Sequence, residues 1–143
     1  MAAHNDLGKW GEEQAALYLR NKGWYIRHRD WHDGHRDIDI VAIDAESSIL
    51  LIVEVKTRSN NINGEPDTAI DLNKQNNIIR AAAAYQRCYR LHYCELRYDT
   101  ISVVGTPETG AVITHKEGAF DVTSNFYYYQ SKRRKPYKRP GTW

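Results

Sequence analysis

The run of residues 49–56, ILLIVEVK, is the feature that most constrains the fold. Its aliphatic side chains would bury both faces of a strand, which predicts a position inside a sheet covered by helices. Because side chains alternate along a strand, Glu54 and Lys56 are expected on one face and Val55 on the other. The run therefore predicts a central strand that ends by placing a carboxylate and an ammonium on the same face.

The composition is that of one soluble globular domain. A chain of 143 residues can bury one sizeable core, and its 41% hydrophobic and 27% charged residues are ordinary values. The longest apolar run is strand-sized, so no membrane association is expected, and residues 1–7 lack the layout of a secretory signal. We therefore expect a cytoplasmic protein.

The two cysteines, Cys88 and Cys94, stand six positions apart with no second pair. This spacing argues against a zinc site, which usually needs four ligands. Two reduced thiols are the plainer interpretation in a reducing compartment, and a lone disulfide is the alternative.

The net charge of +2 conceals a basic segment at residues 131–143, which holds six basic and no acidic side chains. The rest of the chain has 14 basic against 18 acidic residues and is mildly acidic. We predict a domain over residues 1–130 and a disordered tail over residues 131–143. Such a tail suits a polyanion, although many basic tails only improve solubility. Its predicted contacts to nucleic acid are Lys132, Arg133, Arg134 and Lys135.

The patterns along the chain predict the order helix, three strands, helix, two strands. The first helix is capped by Asn5 or Asp6, runs to Asn21 and is stopped by Gly23. The predicted strands cover residues 24–29, 37–43, 49–56, 97–104 and 111–114, and the second helix covers residues 72–89. Only the third of these strands is apolar on both faces. The chain is therefore predicted to be an α/β domain whose mixed central sheet is flanked by helices.

Acidic residues interrupt the apolar strands at Asp37, Asp39 and Glu54. One interpretation is that the aspartates face solvent and that Glu54 forms a structural ion pair with Lys56. However, an unpaired buried carboxylate is costly, and a buried ion pair seldom adds net stability. A functional site is the interpretation that accounts for both observations.

Paired carboxylates at the end of a buried strand are suited to Mg²⁺ or Mn²⁺, because hard cations bind oxygen ligands. The predicted metal ligands are Asp39, Glu54 and the backbone carbonyl of Val55. Such an ion activates water and neutralises charge during phosphodiester hydrolysis, and Lys56 is predicted to act at the phosphate.

Three further side chains are secondary candidates. Glu12 shares a helical row with Ala16 and Leu19 and should face inward, although compensation of the helix dipole is the commoner role for such an acid. Lys74, at the start of the second helix, and Arg58 are predicted to contact nucleic acid. For Lys74 a plain surface position is the alternative.

Eight segments carry a family resemblance, in order and at appropriate spacings between residues 8 and 120. They cover residues 8–13, 22–24, 37–42, 53–58, 74–75, 82–85, 97–99 and 115–120. With these segments the chain resembles the YraN-like proteins, a bacterial family similar to archaeal Holliday junction resolvases. The resemblance implies the restriction-endonuclease-like fold and the PD-(D/E)xK type of nuclease site.

Site residues carry over from this resemblance position by position. The residues that match the catalytic set are Asp39, Glu54, Lys56 and, on the first helix, Glu12. Two positions depart from the pattern. Asp37 stands where the family usually has a glutamate, and Ile38 replaces the proline that names the wider nuclease motif.

We therefore predict a Mg²⁺-dependent endodeoxyribonuclease, a hydrolase that acts on DNA, with branched or flapped DNA as candidate substrates. Two alternatives stay open. One is a nucleic-acid-binding module that keeps the fold without catalysis, and the other is a protein-interaction adaptor in DNA processing. Resolvase-like relatives commonly act as dimers, so a homodimer is also considered.

Overall fold

The computed structural model describes residues 3–62, 64 and 69–122, with side chains from Asp6 onward. The predicted domain end at residue 130 and the predicted tail at residues 131–143 lie outside the described residues. The same holds for the four predicted nucleic-acid contacts in that tail, which stay predictions of the sequence. Two helices and five strands make up the described part, in the predicted order. They are α1 (Ala3–Asn21), β1 (Tyr25–Asp33), β2 (Arg36–Ile43), β3 (Ile49–Arg58), α2 (Leu72–Tyr89), β4 (Glu95–Thr106) and β5 (Gly110–Phe120).

The five strands form one sheet in the order β1-β2-β3-β4-β5. β3 and β4 are parallel, and the other three pairs are antiparallel. Helix α2 makes the crossover between the two parallel strands, as a parallel connection requires. β3 occupies the centre of the sheet, as its apolar run predicts. The predicted α/β class, with a mixed central sheet flanked by helices, is confirmed.

The sheet separates two hydrophobic cores, and β3 contributes to both. Leu51 and Val53 pack with the cluster under α1, whereas Leu50 and Ile52 pack with the cluster under α2. On the helices, the buried residues are Ala15, Ala16 and Leu19 of α1 and Ile78, Ala81, Ala82 and Tyr85 of α2. The strict alternation along β3 places Glu54 on the α2 side of the sheet and Val55 on the α1 side.

The bounds of α2 are those predicted, and the other six elements are longer than predicted, β2 by one residue and β3 by two. α1 begins at Ala3, so Asn5 and Asp6 lie in its first turn and neither caps it. β1 continues to Asp33 because its second half pairs with β2 as far as Arg36. β4 is extended at both ends. β5 has 11 residues, and its burial alternates because it is an edge strand with one solvent-facing side.

A buried polar cluster joins α1, β4 and β5. The Asp99 carboxylate accepts hydrogen bonds from the Arg97 guanidinium and from the Gly118 backbone N–H, and it lies 2.7 Å from His115 Nε2. His115 Nδ1 is 3.1 Å from the Tyr18 hydroxyl on α1. Burial alone raises the pKa of Asp99, but the hydrogen bonds from His115, Arg97 and Gly118 outweigh it and hold that pKa below its ordinary value. The cluster fastens the first helix to the far end of the sheet.

Two smaller expectations concern the thiols and the membrane. Cys88 is exposed, Cys94 is buried, and both are free thiols.

Among the described residues, neither helix is long and apolar enough to cross a membrane.

Candidate active site

Asp39 lies where β2 separates from β3. The paired registers of the two strands end at Ile40 and Val53, while β3 continues beside β4 to Arg58. The Asp39 carboxylate reaches into this gap and accepts a hydrogen bond of 2.8 Å from the Val55 backbone N–H. In a strand the N–H and the C=O of one residue point to the same edge, so the Val55 carbonyl faces the same gap.

The backbone of β2 twists at Asp39, so that the side chains before and after it face opposite sides of the sheet. Ile38 belongs to the core under α2, whereas Ile40, two residues later, belongs to the core under α1. Side chains two apart in a regular strand share one face, so β2 departs from regular pleating around Asp39. This departure lets a single carboxylate stand at the boundary between the two sides of the sheet.

Glu54 is hydrogen-bonded to Asp39. Burial raises the pKa of Glu54 to about 8, and the neighbouring charge of Asp39 adds to this effect. Burial also raises the pKa of Asp39, although hydrogen bonds from the Val55 N–H and from Glu54 oppose the rise. At neutral pH the pair therefore holds one shared proton.

Lys74, in the first turn of α2, supplies a positive charge to this pair. Its Nζ lies 3.7 Å from Glu54 Oε1 and 3.5 Å from Asp37 Oδ1. Asp71 caps the helix by accepting the Lys74 backbone N–H at 2.8 Å, which fixes the root of the side chain beside the carboxylates. Lys74 is therefore held in two ion pairs while its side chain is 35% exposed, and its contact with nucleic acid stays a prediction.

Lys56 and Arg58 hold the segment that leads from β3 towards α2. Lys56 lies on the same side of the sheet as Glu54, as predicted, and its ammonium donates a hydrogen bond to the Ala69 carbonyl. The Arg58 guanidinium donates hydrogen bonds of 3.3 Å to Asn61 and 3.2 Å to the Gly64 carbonyl. A phosphate role for either residue stays a prediction.

Glu12 faces inward from α1, as its helical row predicts. Its side chain is 20% exposed, against 52% for the neighbouring Glu13. Arg29 of β1 lies 3.5 Å from its carboxylate. Burial raises the pKa of Glu12, and the charge of Asp39 raises it further, whereas Arg29 opposes the rise. Glu12 and Asp39 therefore interact electrostatically across the short distance between α1 and β2.

The four matched residues line two neighbouring clefts on opposite sides of the sheet. A cleft of about 580 Å³ on the α2 side is lined by Glu54, Lys56, Lys74 and Asp71, with Ala69 and Ile70. A cleft of about 250 Å³ on the α1 side is lined by Glu12, Asp39, Val55 and Thr57, with Leu7 and Gly8. The matched residues line two clefts rather than one, because β3 carries Glu54 and Val55 on opposite faces. The hydrogen bond between Asp39 and Glu54 connects them.

The oxygen ligands at this site suit a divalent cation that has few protein ligands and is completed by water or substrate. Within the part of the chain that the structure describes, no three His, Cys, Asp or Glu side chains are grouped to hold a metal ion. The oxygens at hand come from Asp39, Glu54 and the Val55 carbonyl. Mg²⁺ is usually bound by one or two carboxylates together with water and substrate phosphate, so this set fits Mg²⁺ or Mn²⁺. It lacks the ligands of a structural zinc site.

Two hydroxyl residues of β4 stand beside the site, and neither was predicted from the sequence. In the parallel register Thr100 lies opposite Glu54, and Ser102 lies opposite Lys56. Both are buried, and the Thr100 hydroxyl has no hydrogen-bond partner among the described residues. The only available signal was a pair of small polar residues, two apart, within an apolar strand.

Comparisons with known proteins place these residues in a family. The model of "Uncharacterised protein family UPF0102" matches residues 11–103. A UPF0102 protein of Bacteroides thetaiotaomicron is 48% identical over 105 residues, covering 73% of this chain and 84% of the relative. Another, from Porphyromonas gingivalis, is 38% identical over 140 residues, covering 97% of this chain and 98% of the relative.

Solved structures give more distant similarities. A repair endonuclease from Pyrococcus abyssi matches with a TM-score of 0.34 and 17% identity, over 66% of this chain and 38% of that one. SfsA of Pyrococcus furiosus, in complex with Ca²⁺, matches with a TM-score of 0.37 and 13% identity, over 83% of this chain and 65% of that one. The family match, in contrast, extends over most of the chain at substantial identity. The chain belongs to the uncharacterised protein family UPF0102, the YraN-like family that its motifs resemble.

Proposed function

We propose that this protein is a Mg²⁺- or Mn²⁺-dependent nuclease that hydrolyses phosphodiester bonds in DNA, with branched or flapped DNA as its candidate substrates. A cytoplasmic location is part of this proposal. Assembly as a homodimer stays a prediction of the family resemblance.

The observation that carries the proposal is the hydrogen-bonded pair of Asp39 and Glu54. Asp37, Asp39 and Glu54 bring three partly buried carboxyl groups to the single ammonium of Lys74, so the acids outnumber the cation that contacts them. A structural role would be served better by one carboxylate and one cation, because a second buried acid only adds desolvation cost. A divalent cation would replace the shared proton and satisfy both side chains.

In this proposal Asp39, Glu54 and the Val55 carbonyl would hold the cation, which would lower the pKa of a bound water and neutralise charge that develops on the phosphate. The Val55 N–H fixes the orientation of Asp39. Glu54 would release the shared proton to solvent on becoming a ligand. Lys74 and Lys56, which line the same cleft, face the scissile phosphate.

Glu12 would act from the α1 side of the sheet. It lines the smaller cleft together with Asp39, and Arg29 holds its carboxylate in place. From this position it would orient a water molecule bound near Asp39, rather than contact the substrate in the larger cleft. Its loss should therefore lower turnover more than it lowers affinity for DNA.

One observation favours the second candidate, a nucleic-acid-binding module without catalysis. Lys74 already forms ion pairs with Asp37 and Glu54, so the acidic side chains are partly neutralised without any metal. In that case the carboxylates only position a phosphate-binding lysine.

The direct test is a cleavage assay with linear, flapped and branched DNA in the presence of Mg²⁺ or Mn²⁺. Glu54→Gln should abolish cleavage and leave DNA affinity nearly unchanged, since Gln keeps the shape but not the charge that a hard cation needs. Glu46→Gln, at an exposed turn position, is the matched control and should cleave like the wild type. Cleavage that survives Glu54→Gln would contradict the proposal. DNA binding by the wild type without any cleavage would favour the binding module.

A further inference from the structure

Lys74 stands at the meeting point of two strands and one helix. Its Nζ lies within 4 Å of one carboxylate on β2 and one on β3, at 3.5 Å from Asp37 and 3.7 Å from Glu54. The capping bond to Asp71 involves the backbone N–H of Lys74 and does not constrain its four-carbon side chain, which Asp37 and Glu54 contact at the ammonium. The side chain is 35% exposed and borders the larger cleft.

The surroundings of Lys74 keep its ammonium charged. Burial alone lowers the pKa of Lys74, but the charges of Glu54, Asp37 and Asp39 outweigh it, so the pKa is raised. These carboxylates include both side chains proposed as metal ligands. A fixed positive charge therefore already faces the position that a divalent cation would take.

Two cations this close together repel each other strongly in a partly buried site. Resting on the proposed function, we propose that Lys74 is a resident counter-ion of the Asp39–Glu54 pair, and that its ammonium must move away from the pair when the pair binds a divalent cation. The released ammonium then turns into the cleft that it shares with Lys56 and binds a substrate phosphate.

The exchange has a thermodynamic consequence. Any group that competes with the cation for the carboxylates lowers the affinity of the free protein for that cation. A phosphate that captures Lys74 removes the competitor, so phosphate binding and cation binding strengthen each other, and the coupling is reciprocal. The affinity of the protein for the cation would then be low without DNA and higher when DNA is bound.

The test is a calorimetric titration of Mn²⁺ into the full chain without DNA. Lys74→Met keeps the aliphatic stem but removes the charge, and it should bind Mn²⁺ about tenfold more tightly than the wild type. Lys74→Arg keeps the charge and should bind within about threefold of the wild type, which separates charge from packing. Lys116→Met, at an exposed position of β5, is the control and should leave the affinity unchanged.

The outcomes distinguish this inference from the function on which it rests. If the wild type binds Mn²⁺ and Lys74→Met binds it equally or more weakly, the exchange is overturned while the metal site stands. If no variant binds Mn²⁺, the proposed metal site fails and the exchange fails with it. Binding by Lys74→Met alone supports the exchange. Near-ultraviolet circular dichroism shows whether each variant keeps its tertiary packing, and Lys74→Gln serves as the second neutral variant if Lys74→Met does not fold.

Discussion

The carboxylate of Asp39 accepts a hydrogen bond of 2.8 Å from the backbone N–H of Val55, the residue between Glu54 and Lys56. This bond substitutes for the strand pairing that ends two residues earlier, at Val53. It holds the end of β2 against the end of β3 and brings the two matched acids into contact. The separation of the strands thus creates the candidate site.

The protonation of Glu54 predicts an unusual dependence of stability on pH. Its pKa rises from an ordinary value of 4.5 to about 8 in the folded protein. Between these values the folded state keeps a proton that the unfolded state releases. This stabilising contribution is complete below pH 4.5 and is lost as the pH rises through about 8, at up to about 1.4 kcal/mol per pH unit. Asp39, whose pKa is also raised, acts in the same direction.

Urea unfolding between pH 5 and pH 9 checks this prediction. The free energy of unfolding of the wild type should fall across the range, and Glu54→Gln should show a shallower slope and greater stability at the alkaline end. Glu46→Gln, at an exposed position, should keep the wild-type slope. Equal slopes for the wild type and Glu54→Gln would show that Glu54 ionises normally.

The sequence predicted the central strand and its two functional side chains because the signal was local. Five aliphatic residues followed by Glu54-Val55-Lys56 determine both the burial and the facing of that strand. The approach of Asp39 to Glu54 was expected from the order of strands. The rotation of β2 at Asp39 could not be predicted, because it depends on where pairing with β3 ends.

The role of Lys74 was harder to predict for the same reason. It lies 18 residues after Lys56 along the chain, at the start of a helix whose placement over the sheet depends on tertiary packing. In the sequence alone Lys74 is indistinguishable from a surface lysine. Only the folded structure places Asp37 and Glu54 beside its ammonium. The length of β5 was underestimated because an edge strand keeps polar residues on its exposed side, which resembles a loop in sequence.

Gly11 is predicted to be required by the close approach of α1 to β3. A Cβ at this position would overlap the Thr57 side chain, whereas a Cβ at Gly8 of the same helix meets nothing within 4 Å. Gly11→Ala should therefore destabilise the protein by about 1–3 kcal/mol through overpacking. Gly8→Ala should stabilise it by about 0.5–1 kcal/mol, since alanine is the better helix former.

Thermal or urea unfolding of Gly11→Ala and Gly8→Ala measures the free energy of unfolding of each variant. The two variants make the same chemical change at two positions of one helix. Adding Thr57→Ala to Gly11→Ala should recover part of the loss, because it removes the methyl and hydroxyl groups nearest the new Cβ. Equal effects of Gly11→Ala and Gly8→Ala would mean that α1 does not pack against β3 at this point.

Asp99 is predicted to be a principal stabilising acid of the fold. Asp99→Asn keeps the shape but removes the charge that faces Arg97 and His115, and the loss should be about 3–5 kcal/mol, as for other broken buried pairs. Asp30→Asn is the matched control, because the Asp30 side chain is 67% exposed and forms a surface pair with His32. It should change the free energy of unfolding by less than about 1 kcal/mol. Similar losses for both variants would show that the Asp99 cluster is no stronger than a surface pair.

The sign of the pH effect at Asp99 is opposite to that at Glu54. The pKa of Asp99 is held below its ordinary value of 3.8, so its contribution is complete above that pH. It is lost as the pH falls through the lowered value, when the folded state must take up a proton. Acid unfolding of the wild type should therefore begin at a lower pH than that of Arg97→Gln, in which this carboxylate loses one hydrogen-bonding partner.

The most direct test of the central claim is a calorimetric titration of Mn²⁺ into the wild type and Glu54→Gln at pH 7, repeated in two buffers of different ionisation enthalpy. The account predicts binding by the wild type with release of about one proton per ion, because the cation replaces the proton shared by Asp39 and Glu54. It predicts no measurable binding by Glu54→Gln. Binding that releases no proton, or that persists in Glu54→Gln, would contradict the claim that these two carboxylates form the metal site.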